Sequence, residues 1–504
     1  MTEPSPLGAR AAGVLMHMTS LPAPGGIGAP AFRFIDWLAD AGFGWWQTLP
    51  VGPPGEAFSP YAARSLFAGG LHLVDLAPLA RRGWLDASLV PSAARGPLRL
   101  SEVRRTEGLT LLAAERFLER APKRDRARFE AFRARHRGWL DDWALYDALA
   151  RAEGTRDWTR WEVGVRRRRV PALAHARRSL VDLIEPRAAA QWFFHEQWGA
   201  LRRACRGAGV RLLGDTPFYP SLFSADVWAN QGLFDLDAHG RPRAVAGVPP
   251  DYFSRSGQVW DAPLYRWGAH ERDGFGWWRA RVARSLELFD AVRLDHFIGF
   301  DRAWALSPRA RTAKRGAWRG APGEAALRAI GRGPARGRLV AEDLGLLTER
   351  AQRLRDGFGL PGMRVLQFGF DGEPGNPHAP HAVGAGCVVY TGTHDNDTAR
   401  GWAESLAKTD AGRRTLRRAC AYLGATPRGL PGALVRAALA SPARTAIVPV
   451  QDLIGLGSDA RMNRPGAERG VWRWRLGSVR PLQRLAAALR EQLALYERAA
   501  PVRR

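Results

Sequence analysis

The sequence predicts an α/β fold, a (β/α)8 barrel, and three observations predict it. Eight short apolar runs recur along the chain, and each ends in a polar or charged residue. The runs have few alternating polar positions, which suits strands buried on both faces of a parallel sheet. Helical patterns lie between several of them, and strand, helix, strand in repetition builds an α/β layer structure.

The runs, in chain order, are GVLMHMT (13–19), WWQTLPV (45–51), VRLLGDTP (210–217), AVRLDHF (291–297), GRLVAEDLG (337–345), RVLQFGF (364–370), CVVYTGTHDND (387–397) and TAIVPVQDLIG (445–455). Helical patterns cover 32–41, 188–207 and 347–358. The spacing is uneven. The gap between the second and third runs holds arginine-rich helical stretches such as 115–149, so an inserted, mainly helical subdomain is expected at about 55–205. The gap at 219–289 is rich in Pro, Gly and aromatic residues and reads as a second, irregular insertion over one face of the barrel. Long loops of this kind are usually functional, and the tryptophans argue against disorder. The whole chain, 1–504, is otherwise expected to form one domain.

Composition excludes several classes. With 46% hydrophobic and 25% charged residues the chain is globular, and no window approaches the roughly 18 apolar residues of a membrane span. The N-terminus lacks a basic leader with an apolar core, so a soluble, cytoplasmic protein is expected. Cys205, Cys387 and Cys420 have no CxxC spacing and suggest neither disulfides nor a zinc knuckle. The net charge of +26 would ordinarily raise nucleic-acid binding. Here the arginines are spread along the chain, lysine occurs only at 123, 314 and 408, and no RNA motif accompanies runs such as Arg166 to Arg169. Solvated helix faces account for them.

Barrel active sites form at the C-terminal strand ends. Those ends carry Asp215, Asp295, Glu342 and Asp395, with His17, Arg293, His296 and His394 close by. Any one aspartate there would serve as a helix N-cap or ion-pair partner. Four at one mouth are costly unless paired, hydrogen-bonded or raised in pKa, which is what acid/base and nucleophilic chemistry requires. Two reaction classes can use the set. A metal-dependent hydrolase would recruit the histidines and aspartates, but HxH and HExxH spacings are absent. Glycosyl chemistry needs a nucleophilic carboxylate, a protonated carboxylic acid and groups that grip hydroxyls, and Asp295, Glu342 and Asp395 supply the carboxyls. The 20 tryptophans offer ring faces for sugars, although most must be packing.

The motifs SLPAPGGIG (20–28), SPY (59–61), LLGDTPFY (212–219), SADVWANQGLFDLDAHGRPRAVAGVPPDYFS (224–254), GQVW (257–260), RLDHF (293–297), AEDLG (341–345), PGMRVLQF (361–368), YTGTHDNDT (390–398) and MNRPG (462–466) resemble those of the 4-α-glucanotransferases of the amylomaltase, or disproportionating-enzyme, type, glycoside hydrolase family 77. The resemblance spans nearly the full length. It implies a (β/α)8 barrel without a separate C-terminal β-domain, and retaining transfer of α-1,4-glucan segments between chains, with no cofactor and no metal. Asp295 is then similar to the family's nucleophile, Glu342 to its general acid/base and Asp395 to the carboxylate that holds sugar hydroxyls. Arg293 would favour the carboxylate form of Asp295. The resemblance also implies substrate contacts for His296, His394, Ser59, Phe253, Gln258 and Trp260, a stacking role for Tyr61 and an orienting role for Asp215. The stretch 247–260 resembles the loop that covers the cleft. The partners implied are maltooligosaccharides and glucan chains, with neither nucleic acid nor membrane.

The chain departs from the family pattern at several places. SPYQ becomes Ser59-Pro60-Tyr61-Ala62, AGNP becomes Ala68-Gly69-Gly70-Leu71, WGNP becomes Trp260-Asp261-Ala262-Pro263, PHNY becomes Pro380-His381-Ala382-Val383 and GNW becomes Gly470-Val471-Trp472. Phe223 stands where an aspartate precedes SADVW, and Arg464 and Ala467 replace the threonines of MNTPGT. Mostly, polar side chains give way to apolar ones while the catalytic candidates stay, so altered sugar subsites are expected. Hydrolysis of α-glucans, or glucan binding with little turnover, would use the same motifs.

Overall fold

The structure, a computed structural model, describes residues 5–501 except 23–25, 56–57, 93–95, 251–253, 332–334, 346 and 468. Eight parallel strands, each inside one of the apolar runs or at its edge, form one sheet. They are β1 (Ala11–Leu15), β2 (Trp45–Gln47), β3 (Arg211–Thr216), β4 (Ala291–Leu294), β5 (Leu339–Ala341), β6 (Gly362–Val365), β7 (Cys387–Tyr390) and β8 (Thr445–Pro449). Each pairs with the next in sequence, β8 returns to β1, and the Ala341 N–H donates to the Pro361 carbonyl at 2.8 Å across the remaining seam between β5 and β6.

The strands owe their place to period-two alternation between two apolar environments. Leu15, Trp45, Leu213, Ala291, Val340, Met363, Val388 and Ile447 fill the barrel interior. Val14, Trp46, Leu212, Val292, Leu339, Val389 and Ala446 face outward into the layer shared with the helices. The same parity continues past the apolar positions. Leu213 and Asp215 share a side, as do Ala291, Arg293 and Asp295, and Val340 and Glu342. Polar groups therefore close the interior at its C-terminal end.

Between β2 and β3 the chain builds long helices, including Leu100–Arg120, Lys123–Ala152 and Val181–Gly207. Their seam carries a buried ion cluster in which Arg64 and Arg187 pair with Asp147 at 3.1 and 2.6 Å. After β3, a four-stranded antiparallel sheet forms from Gln258–Pro263, Val245–Val248, Arg302–Leu306 and Ala317–Gly320, in that order. One of its faces, with Ala246, Ala303 and Ala305, packs on the main core. Among the described residues no helix is long and apolar enough to cross a membrane.

Candidate active site

Asp215 on β3 and Arg293 on β4 are register partners, so their side chains meet at one level of the barrel. Arg293 Nη1 lies 2.9 and 2.8 Å from the two Asp215 carboxylate oxygens and 2.8 Å from Asp295 Oδ1. One buried guanidinium thus bridges two carboxylates. Burial raises the Asp215 carboxyl above its ordinary value, the Arg293 charge opposes this, and Asp295 adds to the rise. The Tyr61 hydroxyl donates to Asp215 Oδ2 at 2.7 Å and lies 2.9 Å from His394 Nε2. Having spent its one proton on Asp215, the tyrosine accepts from His394, which fixes the histidine's proton on Nε2.

Asp395 follows β7. Its Oδ2 is 3.5 Å from His394 Nε2, and Oδ1 accepts from the Asn463 side-chain amide at 2.6 Å. Arg461 donates to the Asp395 backbone carbonyl at 2.5 Å. Glu342, one step beyond β5, accepts the N–H of His296 on Oε2 at 2.8 Å and that of Leu344 on Oε1 at 3.0 Å. Because His296 follows Asp295 directly, this bond sets the Glu342 carboxyl beside Asp295. Burial pushes Glu342 up to about 7, the Asp295 charge adds to it, and Arg293 and the two N–H donors pull against it. Desolvation wins, and the group keeps most of its proton only below about pH 7.

His296 adopts left-handed backbone, φ 48°. Burial lowers its ring to about 4, so it is neutral, and its Nε2 has no hydrogen-bond partner among the described residues. Trp260 stands edge-on to the ring at 4.6 Å, and the Trp260 indole N–H donates to Gln258 Oε1 at 3.2 Å. Ser59 Oγ accepts the Tyr61 N–H at 3.3 Å, capping the turn Pro60–Ala62 that presents Tyr61. The Tyr61 ring stacks on His394, with centroids 5.3 Å apart. His17 sits deeper, 3.3 Å from Thr48 Oγ1, on a cavity that His394 also borders.

All the predicted site residues among those described therefore belong to one connected cluster. Phe253, and 251–253 of the 247–260 stretch, lie outside the described residues. The sequence reading omitted two side chains from the site, Asn463 and Arg461, which brace Asp395, while Trp472, one of the tryptophans that the sequence offers for stacking on sugar rings, has its ring 5.8 Å from both Tyr61 and His394. The MNRPG match was the available signal for Asn463. Among the departures, Gly70 is sterically required, since a Cβ there would lie 2.5 Å from the His72 ring and 2.8 Å from the Gly52 carbonyl.

Fold and site together define a (β/α)8-barrel enzyme whose carboxyl groups gather at the C-terminal mouth, one of them held protonated. The profile of glycoside hydrolase family 77, described as 4-alpha-glucanotransferase, matches residues 16–480. The 4-alpha-glucanotransferase of Thermus thermophilus is 44% identical over 476 residues, covering 93% of this chain and 95% of that one. The chloroplastic/amyloplastic 4-alpha-glucanotransferase of Oryza sativa subsp. japonica is 41% identical over 508 residues, covering 97% of this chain and 84% of that one. Among solved structures, the amylomaltase from Streptococcus agalactiae in complex with acarbose superimposes with a TM-score of 0.91 at 33% identity, covering 97% of this chain and 100% of that one. The chain belongs to the 4-α-glucanotransferases of glycoside hydrolase family 77.

Proposed function

We propose that this enzyme is a retaining glucanotransferase that moves α-1,4-glucan segments between maltooligosaccharides through a covalent glycosyl-enzyme on Asp295. The observation that carries this reading is the unequal state of two neighbouring carboxyls: Asp295 is ion-paired to Arg293, while burial holds Glu342 protonated up to about pH 7. Paired carboxyls with separate protonation states are what retaining glycoside chemistry uses. Glu342 protonates the departing glycosidic oxygen as Asp295 attacks the anomeric carbon. Glu342, now ionised, then takes the proton of the acceptor hydroxyl, and the Asp295 ester breaks. Asp395 and His394 hold sugar hydroxyls, and the unpartnered Nε2 of His296 serves a further one. Acarbose, bound by the Streptococcus agalactiae relative, is compatible with a site for maltooligosaccharides.

The reading includes a cytoplasmic location, an inserted helical subdomain at about 55–205 and a second insertion at about 219–289 that carries the cleft-covering stretch and, where an irregular course was expected, holds the strands Val245–Val248 and Gln258–Pro263. It also includes diverged subsites around Ala62, Gly70, Phe223, Asp261, Ala262, Ala382 and Val471. Each hydrogen bond lost there weakens sugar binding by roughly 0.5–1.5 kcal/mol. Maltotriose is the test substrate. Glucose plus a ladder of longer chains is expected from the wild type, with Asp295→Asn and Glu342→Gln inactive. Shortening alone would mean hydrolysis, and full activity of either variant would refute the assignment.

A further inference from the structure

Outside the carboxyl cluster, three helices bring two imidazoles and a carboxylate together. His136 belongs to Lys123–Ala152, His195 to Val181–Gly207 and Glu287 to Gly276–Leu288. One ligand atom from each lies within 4.8 Å of the others. His136 is buried, and its Nε2 lies 3.3 Å from Glu287 Oε1. We propose that His136, His195 and Glu287 form a binding site for one first-row divalent transition-metal ion, with Zn(II) the best-fitting candidate.

Ligand bonds of about 2.0–2.2 Å at tetrahedral angles set neighbouring ligand atoms roughly 3.3–3.5 Å apart. The pair His136 Nε2 and Glu287 Oε1 is already at that separation. His195, half-buried, closes the triangle by a side-chain adjustment and leaves the fourth position to water. Two imidazoles with one carboxylate favour zinc and its neighbours over the oxygen-loving Mg(II) and Ca(II).

The surroundings set limits on this site. Arg284 Nη1 lies 2.7 Å from Glu287 Oε2, which leaves Oε1 for the ion. Arg135 reaches Oε1 only at 3.9 Å, and its mostly exposed side chain can turn to water. The Trp139 indole N–H donates to His136 Nδ1 at 3.3 Å, which keeps the imidazole proton on Nε2. Metal binding at Nε2 displaces that proton, the neutral ring then carries its proton on Nδ1, and Trp139 must release it. The indole N–H is thus a competitor of the ion.

Chelator-treated protein titrated with ZnCl2 in a calorimeter tests the site. One equivalent of zinc per chain is expected for the wild type. His195→Ala should bind at least tenfold more weakly, and Trp139→Phe, which keeps the ring but removes the competing donor, more tightly. Co(II) in place of zinc should give the strong visible bands of a four-coordinate ion in the wild type and not in His195→Ala. Glucanotransferase activity of both variants should match the wild type. No zinc uptake by the wild type, equal uptake by wild type and His195→Ala, or weaker binding by Trp139→Phe would overturn the proposal.

Discussion

At Glu342, burial and the Asp295 charge oppose Arg293 and two backbone donors, and the balance lies at about 7 against an ordinary value of 4.5. A raised acid keeps its proton until the pH passes the raised value. Transfer from maltotriose should therefore hold as pH rises to about 7 and then fall by about tenfold per unit, as expected for loss of an essential acid. A kcat/KM profile between pH 5 and 9 measures this, and a flat profile through 7 would contradict it. Asn463 gives a second expectation. Its 2.6 Å bond orients Asp395, so Asn463→Ala should lower kcat/KM on the order of a hundredfold, as small misplacements of reacting groups do, with the melting temperature little changed. Asp215, Arg293, Asp295 and Glu342 could be read from the sequence because strand parity alone puts them inside the barrel. Asn463 and Arg461 belong to no strand, and only the tertiary return of the chain to Asp395 brings them to the mouth.

The elements follow the same division. All eight barrel strands were legible because each must be apolar on both sides, and a short uninterrupted apolar run is the signature of that burial. The strands Arg302–Leu306 and Ala317–Gly320 were not, since the second is exposed along its whole length and has no apolar pattern to show. Glycine within a barrel strand carries a different signal. A Cβ on Gly13 of β1 would lie 2.5 Å from the Trp45 side chain, 2.6 Å from Ile447 Cδ1 and 2.8 Å from the Trp45 carbonyl. Both neighbours are register partners of Gly13 on the flanking strands, so neither can retreat without moving its strand. Gly13→Ala should destabilise the protein by about 1–3 kcal/mol, the usual cost of overpacking, read from denaturant unfolding. An unchanged midpoint would show that the interior relaxes more freely than its packing implies.

On the scale of the whole molecule, the carboxyl cluster sits at the C-terminal mouth and the opposite end holds the barrel together. There the chain end folds back under β1. The buried Arg498 donates to the carbonyls of Leu439 at 2.6 Å, Ser441 at 2.9 Å, Ala443 at 2.7 Å and Ala11 at 2.9 Å. Arg10 adds donors to Ser441 and Tyr496 at 2.9 and 2.8 Å. Part of the chain's large positive charge is thus spent inside the fold, satisfying carbonyls that the turn before β8 cannot pair for itself. Replacing Arg498 by Met keeps most of the volume but removes the donor to the Ala11 carbonyl and leaves the Leu439, Ser441 and Ala443 carbonyls to Arg10, at 3.4, 2.9 and 3.4 Å, and a buried acceptor left unpaired is worth roughly 1–3 kcal/mol. Arg498→Met should therefore lower unfolding free energy by about 1–3 kcal/mol, the cost of leaving a buried acceptor unpaired. Its kcat on maltotriose, measured well below the unfolding transition, should stay at the wild-type value, because β1 and β8 separate this clasp from the carboxyl cluster. A loss of kcat without a loss of stability would place Arg498 in communication with the active site and contradict this division between the two ends of the barrel.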